Sequence, residues 1–181
     1  MRSALIFLFK TLADLYLLTF LLRILMQWVR ANYYNPLAQF VMKVTSPLVV
    51  PARRVIPSVS GVDTATIVVL IVLEILATFI LVRLAGVSVP VPVLLLYSAL
   101  RLVGLVVWFY TVALFIYVLL SWFGDRGMNP MAALLGQLVE PLLRPARRLL
   151  PPIGGLDLSP LIVLLLLQAV RIALPLPLLL R

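Results

Sequence analysis

Two arginine pairs carry the first chemical signal in this chain. Arg53-Arg54 and Arg147-Arg148 each close the same tetrapeptide, Pro-Ala-Arg-Arg, at positions 51–54 and 145–148. A guanidinium is planar, permanently charged and built as a fork of donors, so it grips carboxylate or phosphate bidentately. A second signal is a set of polar groups inside apolar stretches: Asp14, Arg23, Glu74, Gln168 and Arg171. Ionisable groups in such surroundings are costly, and they mark internal pairing, proton relays or ion pathways. Other chemistry is excluded. There is no histidine and no cysteine, which removes the commonest general base, thiol chemistry and the usual metal ligands. Ser3, Ser121 and Ser159 have no histidine or paired lysine to activate them. Neither a glycine-rich phosphate loop nor a metal-spaced cluster is present. The chain therefore reads as non-enzymatic, with no cofactor and no metal site.

The arginine pairs belong to a larger repeated block. Asn35-Pro36 recurs as Asn129-Pro130, Pro47 as Pro141, Pro51 as Pro145, Pro57 as Pro151, Gly61 as Gly155 and Asp63 as Asp157, each 94 positions on. Trp28 precedes the first block and Trp122 the second. Repetition at a fixed, ungapped offset signals two copies of one supersecondary unit.

Composition sets the solvent. Hydrophobic residues make up 64% of the 181 residues and charged ones 12%, with mean hydropathy +1.20. Soluble domains sit near half apolar and a quarter charged, so the bilayer is the expected environment. The formal charge of +9 is then read as arginine meeting anionic headgroups, and nucleic acid is set aside as a partner. The opening residues resemble a signal peptide, but Lys10 and Asp14 interrupt them and no small-residue cleavage site follows. A retained span is expected.

Hydropathy predicts four transmembrane helices, near 11–29, 64–83, 102–123 and 158–174, with residues 3–9 as an interfacial lead-in. The stretch from Val89 to Phe123 exceeds one span, and Pro90, Pro92 and Arg101 are expected to divide it. Residues 1–88 then form one repeat, with loop 30–63, and residues 89–181 the other, with loop 124–157. The expected fold is an all-α membrane protein: two parallel helix–amphipathic loop–helix repeats related by a pseudo-twofold axis along the membrane normal. Eight basic residues fall in the two loops, against Arg2, Lys10, Arg83, Arg101 and Arg181 on the other side. The positive-inside rule places the loops in the cytoplasm and both termini in the periplasm.

Each loop has its own predicted structure. Asn35 and Asn129 suit helix N-caps, with Pro36 and Pro130 at the first helical position. Leu37, Phe40, Val41 and Val44, and in the second copy Met131, Leu134, Leu135 and Leu138, follow the spacing of one helix face. A short interfacial helix is expected, then a second beginning at Ser46-Pro47 or Glu140-Pro141, broken by Pro51 or Pro145 into a kink or re-entrant bend. Gly61-x-Asp63 and Gly155-x-Asp157 should make a turn and cap the next span.

Among the polar groups of the spans, Asp14 is expected to pair with Lys10 four residues away. Arg23 should snorkel toward Trp28 or reach Glu74, and Arg171 should snorkel past the last span. Glu74 has no such exit. Its repeat mate is Gln168, which suggests either a hydrogen-bonded pair joining the halves or a proton or cation site.

The block Trp–x6–Asn-Pro, then Pro–x3–Pro-Ala-Arg-Arg–x2–Pro–x3–Gly–x–Asp, preceded by Leu22-Arg23-Ile24-Leu25-Met26-Gln27-Trp28, resembles the YggT (also YlmG) family. The resemblance covers both copies, and its two-copy form is similar to proteobacterial members. The second copy departs in carrying Tyr117 where the first has Arg23. The resemblance implies an integral inner-membrane protein without known catalysis. It also implies links to osmotic or potassium-related tolerance, to cell-division gene neighbourhoods and, in chloroplasts, to haem attachment to a cytochrome b. With no histidine or cysteine, a haem role here would mean holding an apoprotein and not ligating iron.

Two functions remain as expectations. One is a non-enzymatic membrane scaffold or assembly factor, docking anionic lipid or a membrane or cytoplasmic partner through Arg53, Arg54, Arg147 and Arg148. The alternative is a small cation or proton channel or transporter around Glu74 and Gln168, which would need to form a homo-oligomer to enclose a pore.

Overall fold

The computed structural model describes residues 1–59, 61–122, 130–149, 157–177 and 180. Among them are six helices and no β-strand: α1 (Arg2–Trp28), α2 (Pro36–Arg53), α3 (Thr64–Leu84), α4 (Val91–Trp122), α5 (Pro130–Leu149) and α6 (Ser159–Ala173). Asn129, Pro151 and Gly155 lie outside the described residues.

Three helices have the length and composition to cross a membrane: α1, α3 and α4. At 1.5 Å per residue, the 21 residues of α3 reach about 31 Å, which matches a hydrocarbon core of about 30 Å. The fourth expected span, α6, has 15 residues and reaches only about 22 Å. Large apolar side chains on these helices point outward, among them Phe7, Leu12, Val72, Leu76, Leu96, Phe115, Leu165 and Ile172. Only a low-dielectric solvent makes such a surface stable.

The core lies between the helices, around Leu17, Phe20, Met26, Val41, Val49, Leu70, Leu114, Leu138 and Leu143. α1 packs on α3 and on α2, α4 packs on α6 and on α5, and α3 packs on α4. The first three helices thus associate in the same pattern as the last three. Asn35 joins α2 to α5 by donating to the Pro130 carbonyl at 2.8 Å.

Three sequence expectations are overturned. Residues 3–9 are not a separate lead-in, because α1 runs unbroken from Arg2. The stretch after Val89 is not divided, because α4 continues through 32 residues. Pro92 falls in its first turn, where proline is harmless, and Arg101 is buried inside it instead of ending it. Nor do Pro51 and Pro145 break the loops: α2 runs through Pro47 and Pro51, and α5 through Pro141 and Pro145. The prolines are four apart, so the missing donors fall on one face. That face holds Lys43, Pro47 and Pro51 in α2, all exposed, where the freed carbonyls reach polar surroundings.

The buried stripe of α2 is Ala38, Val41, Thr45 and Val49. Phe40, expected on it, is exposed, and so is Met131 of α5, whereas Leu134 and Leu138 are buried as expected. α2 and α5 therefore place apolar groups both toward the bundle and away from it, as an interfacial helix does. At the other end, Arg2 donates to the Leu84 carbonyl at 2.6 Å, closing the C-terminus of α3. Gly86 follows with φ +70°, and a Cβ there would collide with the Arg2 guanidinium.

Candidate functional site

The repeated motif builds a polar cluster at one end of the bundle. Asn35 N-caps α2 by accepting from the Leu37 amide at 2.9 Å, ahead of Pro36. Gly61 takes φ +78° in the turn that pairs Val59 with Val62. Asp63 then caps α3 through the Thr66 amide, and the Pro57 carbonyl accepts from the Thr64 hydroxyl. Gln27 ties the turn to α1, donating to the Gly61 carbonyl at 2.7 Å and accepting from the Asp63 amide at 3.3 Å.

Asp63 is also the anchor of two arginines. Arg53 reaches it with two donors, the Nε bond being 3.2 Å. Buried Arg23 approaches it to 3.6 Å and donates to Thr45 at 2.7 Å. Burial alone would raise the Asp63 carboxyl, but the hydrogen bonds from Arg53 and Thr66 outweigh it and hold it below the usual carboxylate range. The hydrogen bond to Asp63 correspondingly raises Arg53.

The second copy repeats this link. Arg147 donates through Nε to Asp157 at 2.9 Å and through Nη1 to Glu140 at 2.8 Å. Burial pulls the Arg147 guanidinium down, and bonds to Asp157, Tyr117 and Glu140 reverse that and raise it. Asp157 is held low in the same way by Arg147 and Ser159, against burial. Tyr117 stands where Arg23 stands in the first copy. One position thus serves the same arginine–aspartate link from either partner: Arg23 on the aspartate, Tyr117 on the arginine.

In both copies, then, the first arginine of Pro-Ala-Arg-Arg is bound to an aspartate ten residues on. The second, Arg54 or Arg148, is exposed and has no ion pair among the described residues. Of the four arginines read as a docking set, Arg53 and Arg147 fasten the loop, and Arg54 and Arg148 face outward.

A second polar cluster lies between α1, α3 and α4. Arg101, 5% exposed, donates to Asp14 at 2.6 Å and to Thr78 at 3.0 Å, and lies 3.1 Å from Glu74. Thr78 donates to Glu74 at 3.0 Å. Asp14 also holds Lys10 at 2.8 Å, as its spacing in α1 suggested. Glu74 is therefore answered by Arg101 and Thr78. It makes no hydrogen bond to Gln168 among the described residues. Arg23 does not reach it either, nor does Arg23 snorkel toward Trp28, because Asp63 and Thr45 draw it inward. Gln168 lines a cleft of about 500 Å³ with Lys10, Asp14, Arg101 and Arg171. Arg171 is exposed in the last turn of α6.

The sequence model of the CCB3/YggT family matches residues 2–84 and 96–179. The chain belongs to this family. An uncharacterized protein of Pseudomonas aeruginosa, PA0392, is 41% identical over 94% of this chain and 87% of its own length. The Escherichia coli K12 protein YggT, likewise uncharacterized, is 38% identical over 93% and 88%. A protein of Vibrio alginolyticus named for the proC 3' region is 41% identical over 90% and 88%. None of these names denotes an enzyme. No solved structure matches the chain.

In this CCB3/YggT protein the residue that sequence reasoning misplaced is Arg101, counted as a flanking charge and found as the buried partner of Glu74 and Asp14. A signal for it existed. Glu74 lies thirteen residues before Val87 and Arg101 thirteen residues after Ser88, the two residues at the middle of the α3–α4 connection. In an antiparallel hairpin that equal separation sets them side by side. The assumed break near Arg101 hid the arithmetic.

Proposed function

We propose that this family member is a non-enzymatic inner-membrane scaffold whose motif loops dock anionic headgroups or an acidic partner. The observation that carries this reading is the division of labour in each Pro-Ala-Arg-Arg. One arginine locks the loop to its aspartate, and the other, Arg54 or Arg148, is held outward on a rigid frame. A topology signal needs only charge; a docking surface needs charge at a fixed place. Exposed Lys43 and Arg144 on the same helices extend the positive surface.

The scaffold has four membrane helices in this reading, α6 completing its crossing with the residues that flank it, and a pseudo-twofold axis relates α1–α3 to α4–α6. The shared packing pattern of the two halves supports it. With Arg101 buried and Arg171 at the far end of α6, eight basic residues on the motif side face Arg2, Lys10, Arg83, Arg171 and Arg181 on the other. That asymmetry favours cytoplasmic loops and periplasmic termini. A link to osmotic tolerance or to membrane-complex assembly fits a protein that organises neighbours.

The test is a mild-detergent pull-down from membranes, with bound lipids and proteins identified by mass spectrometry, comparing wild type, R54A/R148A and R53A/R147A. Near an anionic surface each arginine is worth about 1 kcal/mol, so R54A/R148A should reduce capture by about thirtyfold while melting as wild type does. R53A/R147A should lower thermal stability first. Equal capture by R54A/R148A and wild type overturns the docking role.

A further inference from the structure

The cleft between α1, α4 and α6 lies toward the end of the bundle opposite the motif loops. Lys10 stands early in α1, Arg101 early in α4 and Arg171 in the last turn of α6, and these three positions share that end. Its volume of about 500 Å³ falls in the usual range for a small-ligand site, roughly 300–1,000 Å³. Its polar wall is Lys10, Thr11, Asp14, Arg101, Gln168 and Arg171, and Trp108 is among the apolar residues of the lining.

The charges do not balance. Lys10, Arg101 and Arg171 bring three positive charges, and Asp14 and Glu74 bring two negative ones, both committed to Arg101 or Lys10. Among the described residues one positive charge is left over. Arg171 makes no ion pair among the described residues, although it is exposed on an apolar helix that also exposes Leu165, Leu166 and Ile172. An unpaired cation in a largely apolar cleft is uncompensated, and a single negative charge placed in the cleft would balance it. The cation lies at the end of α6 away from the motif loops, and the surface running away from it along α6 is apolar. This combination of one fixed anion site with an adjoining hydrocarbon-like wall is complementary to a phospholipid.

We infer that this cleft seats one anionic phospholipid in the leaflet opposite the motif loops, its phosphate held by Arg171 and Lys10 and its acyl chains lying along α6. Arg101, fixed by Asp14 and Glu74, forms the positive floor. Gln168 offers a neutral donor beside the phosphate. The inference stands apart from the motif loops and does not depend on their docking anything.

The test uses the full chain in nonionic detergent. In a W28F/W122F background Trp108 is the sole tryptophan, so quenching by phosphatidylglycerol with brominated acyl chains reports occupancy of this cleft. Expected is saturable quenching at one lipid per chain, confirmed by native mass spectrometry. R171Q should weaken it at least tenfold, R54Q/R148Q should leave it unchanged, and brominated phosphatidylcholine should bind at least tenfold more weakly. Arg171 is exposed at a helix end, so R171Q should fold, and K10Q should give a second, independent loss of affinity. The proposal fails if phosphatidylcholine binds as well as phosphatidylglycerol, or if R171Q and K10Q both bind as wild type. It fails equally if brominated oleate saturates the site while phosphatidylglycerol does not, which would make the ligand a fatty acid.

Discussion

Asp63 is used four ways: it caps α3, accepts from the Thr66 hydroxyl, pairs with Arg53 and lies beside buried Arg23. A carboxylate held below its usual range stabilises the fold wherever it is ionised. That contribution is fully present above the unfolded value of about 4 and is lost as pH falls through the lower folded value. The Asp63 contribution to thermal stability in detergent, read as the difference between wild type and D63N, should therefore be constant from neutral pH to about 5 and decline below about 4. D63N should be less stable at neutral pH, with a much flatter acid limb. A D63N profile parallel to that of wild type would show that the motif aspartate is not the group that titrates. Asp157, more exposed, should give the smaller effect of the two. The residues of both pairs stand out in the sequence, because each arginine precedes its aspartate by ten residues and the arrangement recurs, but read separately they make only a docking set and caps. What composition and spacing did not show is that the aspartate's partner is the first arginine, since an N-cap and a ligand-binding arginine each looked complete alone.

The elements were legible where hydrophobic length decided them and misread where a local rule was applied without its context. The caps Asn35 and Asp63, the turn at Gly61 and the span α3 fell close to their expected places. Proline is a helix breaker when its freed carbonyls have nowhere to go, yet in α2 it lies on an exposed face and the helix continues. Arginine ends a span when it is alone, yet Arg101 in α4 meets Glu74 of α3 at the same depth. That pairing makes the α3–α4 hairpin the place where cost is concentrated. Removing one member of a buried pair leaves an uncompensated charge and costs about 3–5 kcal/mol, whereas replacing both with apolar residues is often nearly neutral. R101L should accordingly melt well below wild type in detergent. E74L/R101L should recover much of the loss, because Asp14 keeps Lys10 as a partner. If the double variant is as damaged as the sum of E74L and R101L, the two side chains act independently and the hairpin is held by packing alone.

At the scale of the molecule, the open question is where α6 ends relative to α1, and the cleft supplies an argument. α6 leaves the motif end at Asp157, which Arg147 holds, and Arg171 in its last turn faces the same cavity as Lys10 of α1. Both ends of the chain's apolar path are thus drawn to the side away from the motif. Fifteen helical residues do not cover a bilayer, but Leu174 and Leu176 continue past the helix and line the same cleft, so the apolar stretch is longer than the helix, as the proposed fourth crossing requires. Because the chain has no cysteine, single-cysteine labelling reads this cleanly. S58C, in the loop after Arg54, should react with a membrane-impermeant maleimide only after the inner membrane is opened. S3C and P177C should react from outside in intact spheroplasts. The pattern distinguishes the alternatives: P177C reacting on the same side as S58C would mean that α6 turns back without crossing, and that the pseudo-twofold pairing of α3 with α6 is lost. S58C reacting from outside, with S3C and P177C protected, would invert the protein, and the exposed Arg54 and Arg148 would then face the periplasm instead of the cytoplasm.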